Sequence, residues 1–345
     1  MTSFHTPLAR PLTAILRHRP EDFLVEEIPA TLPEGEGEHV WLSIRKRGMN
    51  TDTVAALLGR IAGVPRRAVG YAGRKDRHAV TTQWFSVHLP GREAPVWSEH
   101  LPPEVEILEA RRHRRKLQTG HLQGNRFVLV LRQCEGDRDA AQARLVMMQQ
   151  RGVPNFFGAQ RFGHDGGNVA KAEALFQGTL QVRDQKLRGI YLSAARSEIF
   201  NRVLAARLED GIWDQALPGD ALQLDGRGSF FIYQEDDPTV PERLAAQALH
   251  VTGPLWGRGD PATTGGVAAL EAGVAATLPV LARGLEAAGL TQERRALRIR
   301  PQALTWEWED EQTLQLGFTL PAGAFATTLV EVFADTDTGA DGGEG

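Results

Sequence analysis

The densest group of polar residues in this sequence surrounds a single carboxylate, Asp76. Four basic residues lie within two positions of it, namely Arg74, Lys75, Arg77 and His78. A nearby cation favours the ionised form of a carboxylate. Glycines precede the group and an apolar strand follows it, so we predict that a sheet positions Asp76 on a loop. On spacing alone, a surface turn with a local ion pair is slightly favoured over a catalytic site.

A second polar segment, residues 154–168, interleaves aromatic rings with amides and a guanidinium. Its sequence is PNFFGAQRFGHDGGN, and its candidate RNA-contacting residues are Phe157, Gln160, Arg161 and Asn168. This mixture suits the stacking of bases and the contacting of phosphates. A core of phenylalanines beneath a glycine turn is equally compatible with it. A dinucleotide site is disfavoured, because the glycines do not match G-x-G-x-x-G and no apolar strand precedes them.

A third segment, residues 124–127 (GNRF), stands immediately before an apolar strand. Its Phe127 would ordinarily be the first core residue of that strand. Elsewhere, the ten histidines show no H-E-x-x-H spacing, and no G-x-S-x-G motif is present. We therefore expect neither a metal, nor a cofactor, nor a serine nucleophile.

The composition favours a two-domain cytoplasmic protein. A chain of 345 residues exceeds the usual size of one compact core. The single cysteine, Cys134, excludes an internal disulfide and fits a reducing compartment. No apolar run is long enough to cross a bilayer, and residues 1–10 lack the apolar stretch of a secretion signal. We expect no association with a membrane.

The net charge is −4, yet basic residues are clustered in three runs. These runs lie at residues 66–77, 111–116 and 294–300. Such clusters provide faces suited to phosphates even on an acidic protein. Each run is equally compatible with an ordinary solvated surface.

The order of predicted elements suggests one domain inserted into another. Alternating apolar residues at 40–44 and at 314–320 predict strands near both chain ends. The middle of the chain is rich in helix patterns, including one that Ser193 is predicted to cap. We therefore predict a sheet domain built from both chain ends. The acidic, glycine-rich segment from Asp335 onward is predicted to be a disordered tail.

The three segments together resemble the TruD family of tRNA pseudouridine synthases. Residues 72–83 match the family pattern A-G-x-K-D-x-x-A-V-T-x-Q, and residues 124–127 match G-N-x-F. Residues 154–163 match P-N-[YF]-F-G-x-Q-R-F-G, whereas the following G-G-x-N is only partly kept. Further matches, including P-E-D-F at 20–23, extend in the family's order over nearly the whole chain. One position departs, because Arg17 stands where the family often has lysine.

The resemblance implies an α+β protein with a pseudouridine-synthase fold. Its central sheet would be mixed and mostly antiparallel, with an inserted α/β family-specific domain. We expect residues 1–152 and 302–335 to form the catalytic domain, 153–301 the inserted domain and 336–345 the acidic tail. RNA would bind in a cleft between the domains, with the target uridine flipped out of its stack.

The resemblance also implies a role for each candidate residue. Asp76 would be the catalytic carboxylate, and Arg17 or Lys75 the cation that holds it ionised. Phe127 would stack on the extruded uracil, and Asn125 would read its edge. Phe157, Gln160, Arg161 and Asn168 would grip RNA or position the inserted domain.

By the same resemblance, the substrate is the uridine at position 13 in the D-arm of tRNA. The isomerisation requires neither a redox cofactor nor a metal. We expect a monomer with no protein partner. Two rival functions are an RNA-binding module that has lost catalysis and a nucleotide-dependent enzyme that uses the glycine-rich loop at 163–167. The intact motif around Asp76 disfavours the first, and the glycine spacing disfavours the second.

Overall fold

The computed structural model describes residues 9–235 and 237–338, apart from the side chains of His164 and Thr338. The strands are β1 (Leu12–Leu16), β2 (Phe23–Pro29), β3 (His39–Arg47), β4 (Val69–Tyr71), β5 (Val80–His88), β6 (Val105–His113), β7 (Leu122–Gly136), β8 (Val153–Pro154), β9 (Ala221–Leu224), β10 (Phe230–Ile232), β11 (Leu249–Leu255), β12 (Glu293–Ala296), β13 (Arg298–Ile299), β14 (Gln302–Trp308), β15 (Leu314–Pro321) and β16 (Ala334–Thr338). The helices are α1 (Thr51–Ile61), α2 (Arg138–Arg151), α3 (Ala159–Phe162), α4 (Gly167–Phe176), α5 (Gln185–Glu209), α6 (Val240–Ala245), α7 (Gly265–Ala276), α8 (Pro279–Ala287) and α9 (Ala326–Val330).

The described residues divide into two compact units. The first, which we call the sheet unit, contains residues 11–139, 301–326 and 334–338. The second, which we call the inserted unit, contains residues 9–10, 140–235, 237–300 and 327–333. The sequence predicts a catalytic domain of residues 1–152 and 302–335 and an inserted domain of residues 153–301. This division into functional domains stays a prediction.

A ten-stranded sheet forms the core of the sheet unit. Its main path runs β14-β15-β7-β2-β5-β3-β6, and β1, β4 and β16 pair at its margins. Two strand pairs are parallel, β2 with β5 and β1 with β16, and the other pairs are antiparallel. The prediction of an α+β fold with a mixed, mostly antiparallel sheet is therefore confirmed.

The apolar alternation that predicted β3 also explains how α1 is held. Val40, Leu42 and Ile44 are buried on one face of β3. They belong to the same core cluster as Val54 and Leu58 of α1. Burying side chains of this size stabilises the packed arrangement by roughly 1.5–3 kcal/mol each. Helix α1 is thereby fixed next to the loop that carries Asp76.

The inserted unit is organised around α5 and a four-stranded sheet. The strand order is β10-β9-β11-β12. Helix α5 begins eight residues earlier than its predicted cap, because the Asp184 side chain accepts hydrogen bonds from the backbone N–H groups of Lys186 and Leu187. The prediction that Ser193 caps this helix is wrong. Ser193 lies within the helix, and its hydroxyl accepts a hydrogen bond from Arg161.

The predicted disordered tail is partly wrong. Residues 334–338 form β16, which pairs in parallel with β1 over its whole length. An edge strand exposes unpaired backbone groups, and β16 satisfies those of β1 despite its polar sequence. The remainder of the predicted tail, residues 339–345, lies outside the described residues.

In the described part of the chain, no single helix is long and apolar enough to span a membrane. Helices α7 and α8 together reach the required length and composition, but they meet at an angle of 100°. Both helices contribute to an apolar cluster that includes Tyr191 and Ile199 of α5.

Candidate active site

Asp76 lies on the loop between β4 and β5, where 40% of its side chain is exposed. Its carboxylate accepts a hydrogen bond from Nη2 of Arg17 at 3.0 Å. The Arg17 side chain is only 14% exposed, so the guanidinium contacts the buried part of the carboxylate and leaves its exposed part free. The exposed part of the carboxylate is open to a substrate.

The cations adjacent to Asp76 in sequence are engaged elsewhere or point outward. Nε of Arg74 pairs with Asp52 at 3.1 Å, and Nζ of Lys75 pairs with Glu27 at 2.7 Å. Arg77 and His78 are exposed. The expectation that a neighbouring residue holds Asp76 ionised is thus not met by Lys75. The contacting guanidinium comes from Arg17, 59 positions earlier in the chain.

A small hydrogen-bond network holds the backbone of the Asp76 loop. The hydroxyl of Thr51, the first residue of α1, accepts from the backbone N–H of Lys75 and donates to the Gln83 side chain. The amide nitrogen of Gln83 donates to the carbonyl oxygen of Gly73. The part of the loop that precedes Asp76 is therefore tied to α1 and β5, which is the arrangement that a precisely placed reactive group needs.

A fully buried lysine forms a hydrogen bond with the backbone of the loop. Nζ of Lys46, on β3, donates to the carbonyl oxygens of Asp76 at 3.1 Å and Met49 at 2.6 Å. Burial is the main reason that the pKa of Lys46 is lowered to about 8. The negative charge of Asp76 acts in the opposite direction, and the positive charge of Lys75 lowers the pKa as well. Lys46 was not among the residues predicted to form the site.

We predict that Lys46 gives the protein a distinctive stability profile in alkaline solution. The folded state releases this proton near pH 8, whereas the unfolded state keeps it to about pH 10.5. The free energy of unfolding therefore rises with pH across that window, by at most about 3 kcal/mol. Denaturant unfolding of the wild type and of Lys46→Met between pH 7.5 and 10 will show their difference growing with pH. The control is Lys186→Met, at an exposed position, whose free energy of unfolding should run parallel to that of the wild type over this pH range. An equally parallel curve for Lys46→Met would contradict the prediction.

The segment at residues 20–23 (PEDF) positions Arg17. The Arg17 guanidinium carbon lies 4.1 Å from the centroid of the Phe23 ring, at the start of β2. The preceding Asp22 is buried and accepts two hydrogen bonds from Arg132 on β7, at 2.8 and 2.7 Å. Burial alone would raise the pKa of Asp22, but the bonds from Arg132 and Arg19 outweigh it and lower that pKa. Arg17 is therefore stacked on a ring that an ion pair anchors to the central sheet.

Phe127 lies in an aromatic group on the same sheet. Its ring stacks on Phe318 of β15 at 5.4 Å and meets the edge of Phe23 at 6.3 Å. Only 6% of the residue is exposed. Two positions earlier on the same strand face, Asn125 has a buried Oδ1 atom with no partner among the described residues.

Gly124 explains why the GNRF segment begins with glycine. A Cβ atom at this position would lie 2.3 Å from the carbonyl oxygen of Leu320 on β15. Any side chain would force β7 and β15 apart next to Asn125. The glycine is thus required for the close pairing that fixes Asn125 and Phe127.

The remaining predicted site residues lie in the inserted unit. Phe157 is buried, Gln160 is exposed, and Arg161 donates from Nη1 to the Ser193 hydroxyl at 2.7 Å. Asn168 donates to the carbonyl oxygen of Arg161 at 3.4 Å. Its side chain also fills the space beside Gly163, where a Cβ atom would approach it to 2.8 Å. Asn168 therefore shapes the turn that follows Arg161.

The basic runs are not uniform surfaces. In residues 111–116, Arg111 pairs with Glu109, and Arg114 pairs with Glu34 and Glu36. In residues 294–300, Arg294 forms a buried ion pair and Arg298 is buried against backbone carbonyls. Of the two remaining arginines, Arg300 is exposed, and Arg295 has a different environment that is described below.

Two further groups of residues bear on the possible chemistry. Within residues 9–235 and 237–338, no three His, Cys, Asp or Glu side chains form a metal-binding group. Burial raises the pKa of the Cys134 thiol to about 11. The thiol is therefore protonated at neutral pH, and a buried thiol in this state is a poor nucleophile.

Comparison with known proteins identifies the same family over almost the whole chain. The family model described as "tRNA pseudouridine synthase D (TruD)" matches residues 5–170 and 167–333. A tRNA pseudouridine synthase D of Xanthomonas axonopodis pv. citri is 50% identical, over 94% of this chain and 92% of its own length. One from Nitrosococcus oceani is 49% identical, over 94% and 90% respectively.

A solved structure shows the same fold. A crystal structure of a Methanosarcina mazei protein described as TruD superposes with a TM-score of 0.75 and covers 96% of both chains. The two sequences are 22% identical, so this similarity is evidence for the fold alone.

Proposed function

The chain belongs to the tRNA pseudouridine synthase D (TruD) family, and from that premise we propose that Asp76 is the catalytic carboxylate that isomerises a uridine of tRNA to pseudouridine. The proposed target is uridine 13 of the D-arm. The class of enzyme is an isomerase, because the substrate and the product have the same atoms.

The reaction makes a specific demand on the protein. The N1–C1′ bond of the uridine breaks, the uracil turns, and a bond forms between C5 and C1′. The C5 proton leaves and N1 gains a proton, so no electron donor or acceptor is consumed. The ribose carbon becomes electron-poor as the first bond breaks, which is a situation that carboxylates serve in glycoside cleavage.

The observation that carries the proposal is the geometry of the Asp76–Arg17 pair. The carboxylate is exposed enough to meet a ribose, while the guanidinium fixes one of its oxygens at 3.0 Å. The loop backbone is held by Thr51, Gln83 and Lys46. Such preorganisation lowers the cost of reaching the transition state, because little has to reorganise during the reaction.

The carboxylate acts on the ribose by one of two routes. It attacks C1′ as a nucleophile, or it removes the C2′ proton as a base. Deuterium at C2′ distinguishes these routes. A primary kinetic isotope effect on pseudouridine formation is expected for the second route, and none for the first.

We assign recognition of the uracil to Asn125 and Phe127. The unpartnered Oδ1 atom of Asn125 is suited to accept a hydrogen bond from N3–H of the base. The Phe127 ring contacts Phe23, and Phe23 contacts Arg17, the partner of Asp76; these contacts support the assignment of Phe127 as the aromatic platform. Phe318 stacks on one face of the Phe127 ring, so the uracil would stack on the opposite face. Because only 6% of Phe127 is exposed, that face has to be uncovered when the uridine binds.

The proposed partner is tRNA, and no cofactor is assigned. Binding of the flipped uridine between the two units, a monomeric state and a cytoplasmic location all stay predictions. A catalytically inactive RNA-binding module is the alternative, and the intact environment of Asp76 disfavours it.

A map of pseudouridine in the tRNA of cells lacking this protein tests the function. We expect the loss of one modification, at position 13 of the D-arm, and its return when the gene is restored. Restoration with a gene for Asp76→Asn will leave the position unmodified. A map that is unchanged in the deleted strain would rule out the proposed activity.

A further inference from the structure

Two arginines of the inserted unit share one aromatic ring. The guanidinium carbon of Arg295, on β12, lies 4.2 Å from the centroid of Phe157, and that of Arg161, on α3, lies 5.2 Å from it. The ring itself is fixed, because Asn201 bonds both backbone groups of Phe157 at 2.9 and 3.0 Å. The ring also meets the edge of Phe200 at 5.3 Å.

Both guanidiniums are held by neutral groups. Nη1 of Arg161 donates to the Ser193 hydroxyl, and Nη2 of Arg295 donates to Oδ1 of Asn155 at 2.6 Å. Asn155 is itself anchored, since its Nδ2 donates to the carbonyl oxygen of Ala296 at 2.7 Å. The Nε atoms of both arginines are buried and have no partner among the described residues.

Two other buried arginines of this unit have carboxylate partners, whereas a third, Arg298, donates to backbone carbonyl oxygens. Arg207 makes two hydrogen bonds to Asp220, at 2.8 and 2.9 Å, and Arg294 makes two to Glu271, both at 2.8 Å. Arg295 directly follows Arg294 in the chain, so the same strand carries one neutralised and one unneutralised guanidinium.

The electrostatic surroundings of Arg161 and Arg295 are unfavourable for two cations. Burial lowers the pKa of Arg161, with no carboxylate acting against it. Burial and, to a smaller extent, the neighbouring charge of Arg161 together lower the pKa of Arg295 to about 10. A partly desolvated charge without a counter-charge destabilises a fold, and two like charges add repulsion. An anion bound between them would remove both penalties.

We propose that Arg161 and Arg295 form a phosphate-binding site, with Phe157 as its floor, that takes a phosphodiester group of the RNA substrate. Guanidinium groups bind phosphate oxygens through charge-assisted hydrogen bonds. Arg161 and Arg295 each use one terminal nitrogen for a neutral protein partner, which leaves the other terminal nitrogen for an anion. The choice of RNA over free phosphate rests on the proposed function. The site gives the inserted unit a defined contact with the backbone of the tRNA.

The test uses Arg295→Met in a full-length protein that also carries Asp76→Asn, so that RNA binds without turnover. The matched control is Arg283→Met, which removes the same charge from an exposed position on α8. We expect the Kd for tRNA to rise about tenfold or more for Arg295→Met. We also expect the slope of log K against log salt to fall by about 0.7–0.9, as for one lost phosphate contact. An Arg295→Met protein that binds tRNA like the control would overturn the proposal.

Thermal unfolding separates this role from a structural one. Replacing an unpaired, partly buried charge with an apolar side chain is expected to leave Tm unchanged or to raise it. A lowered Tm for Arg295→Met, with a smaller loss of RNA affinity at a temperature where the variant is folded, would assign the residue to folding and reject the site.

In the double variant with Arg161→Met, the losses in affinity should be less than additive, because both residues contact one group. Full additivity would contradict a shared phosphate.

Inorganic phosphate distinguishes the source of the anion. If phosphate alone stabilises the wild type but Arg295→Met leaves tRNA affinity unchanged, the site binds a free anion and the RNA assignment is wrong. Failure of the proposed function has a different signature. In that case no pseudouridine forms in any tRNA, even if Arg295→Met weakens RNA binding as expected.

Discussion

Replacing Asp76 with Asn will lower the rate of pseudouridine formation by at least about a thousandfold, a magnitude typical of losing a group that acts directly on the reacting atoms. The amide is nearly the same size as the carboxylate and still accepts a hydrogen bond from Arg17. It can neither attack C1′ nor remove the C2′ proton. The affinity for tRNA should therefore change little while the chemical step is lost.

Release of tritium from tRNA that contains [5-³H]uridine measures this rate, because the C5 hydrogen leaves when the new bond forms. The matched control is Asp52→Asn, which removes a carboxylate bound to Arg66, Tyr71 and Arg74, the last of which belongs to the Asp76 loop. The control should keep most of the activity. A comparable loss in both variants would mean that general disturbance of the region, rather than the chemistry of Asp76, causes the effect.

Replacing Arg17 with Ala will lower kcat by between about a hundredfold and a thousandfold, the range seen when one preorganised donor is removed from an active site. Arg17 is a positioning residue in this account, because it contacts the carboxylate and supplies the adjacent positive charge. Its loss frees Asp76 to adopt other rotamers. We expect KM for tRNA to change far less than kcat.

Arg17→Lys provides the decisive comparison. Lysine often occupies this position in the family, and it keeps the charge but loses the planar fork that stacks on Phe23. We expect it to recover at least tenfold over Arg17→Ala. The control is Arg45→Ala, which breaks an exposed ion pair with Glu106 in the same unit and should leave kcat nearly unchanged. Equal activities of the alanine and lysine variants at position 17 would contradict the role assigned to its charge.

The sequence allowed the loop around Asp76 to be found, but not its partner. Short-range spacing offered four cations, two of which bond other carboxylates. Adjacent residues on a loop point in different directions, so proximity in sequence is weak evidence of an ion pair. Only the ordered motifs directed attention to Arg17, whose approach depends on the fold of the segment at residues 20–23.

Two residues that support the loop are marked in the sequence by their place in an apolar alternation. Val40, Leu42, Ile44 and Lys46 share one face of β3, and Phe23, Val25 and Glu27 share one face of β2. A charged residue that continues an apolar alternation indicates a buried charge with a partner. Lys46 and Glu27 are both of this kind, and both stabilise the loop.

Other features could not be read from local patterns. Ser193 looked like a helix cap because it precedes an apolar face, but Asp184 lies farther upstream and begins the helix earlier. The run at residues 294–300 looked like one basic surface, whereas its arginines have separate partners that are distant in sequence. Long-range pairing determined both outcomes.

The central claim is tested most directly with two tRNA transcripts that differ only at position 13, uridine in one and cytidine in the other. Each is incubated with the purified wild-type protein, and pseudouridine is mapped at single-nucleotide resolution. The account predicts conversion at position 13 of the first transcript and none anywhere in the second. Pseudouridine at another position in both transcripts would contradict the assigned substrate, and its absence from both would contradict the assigned activity.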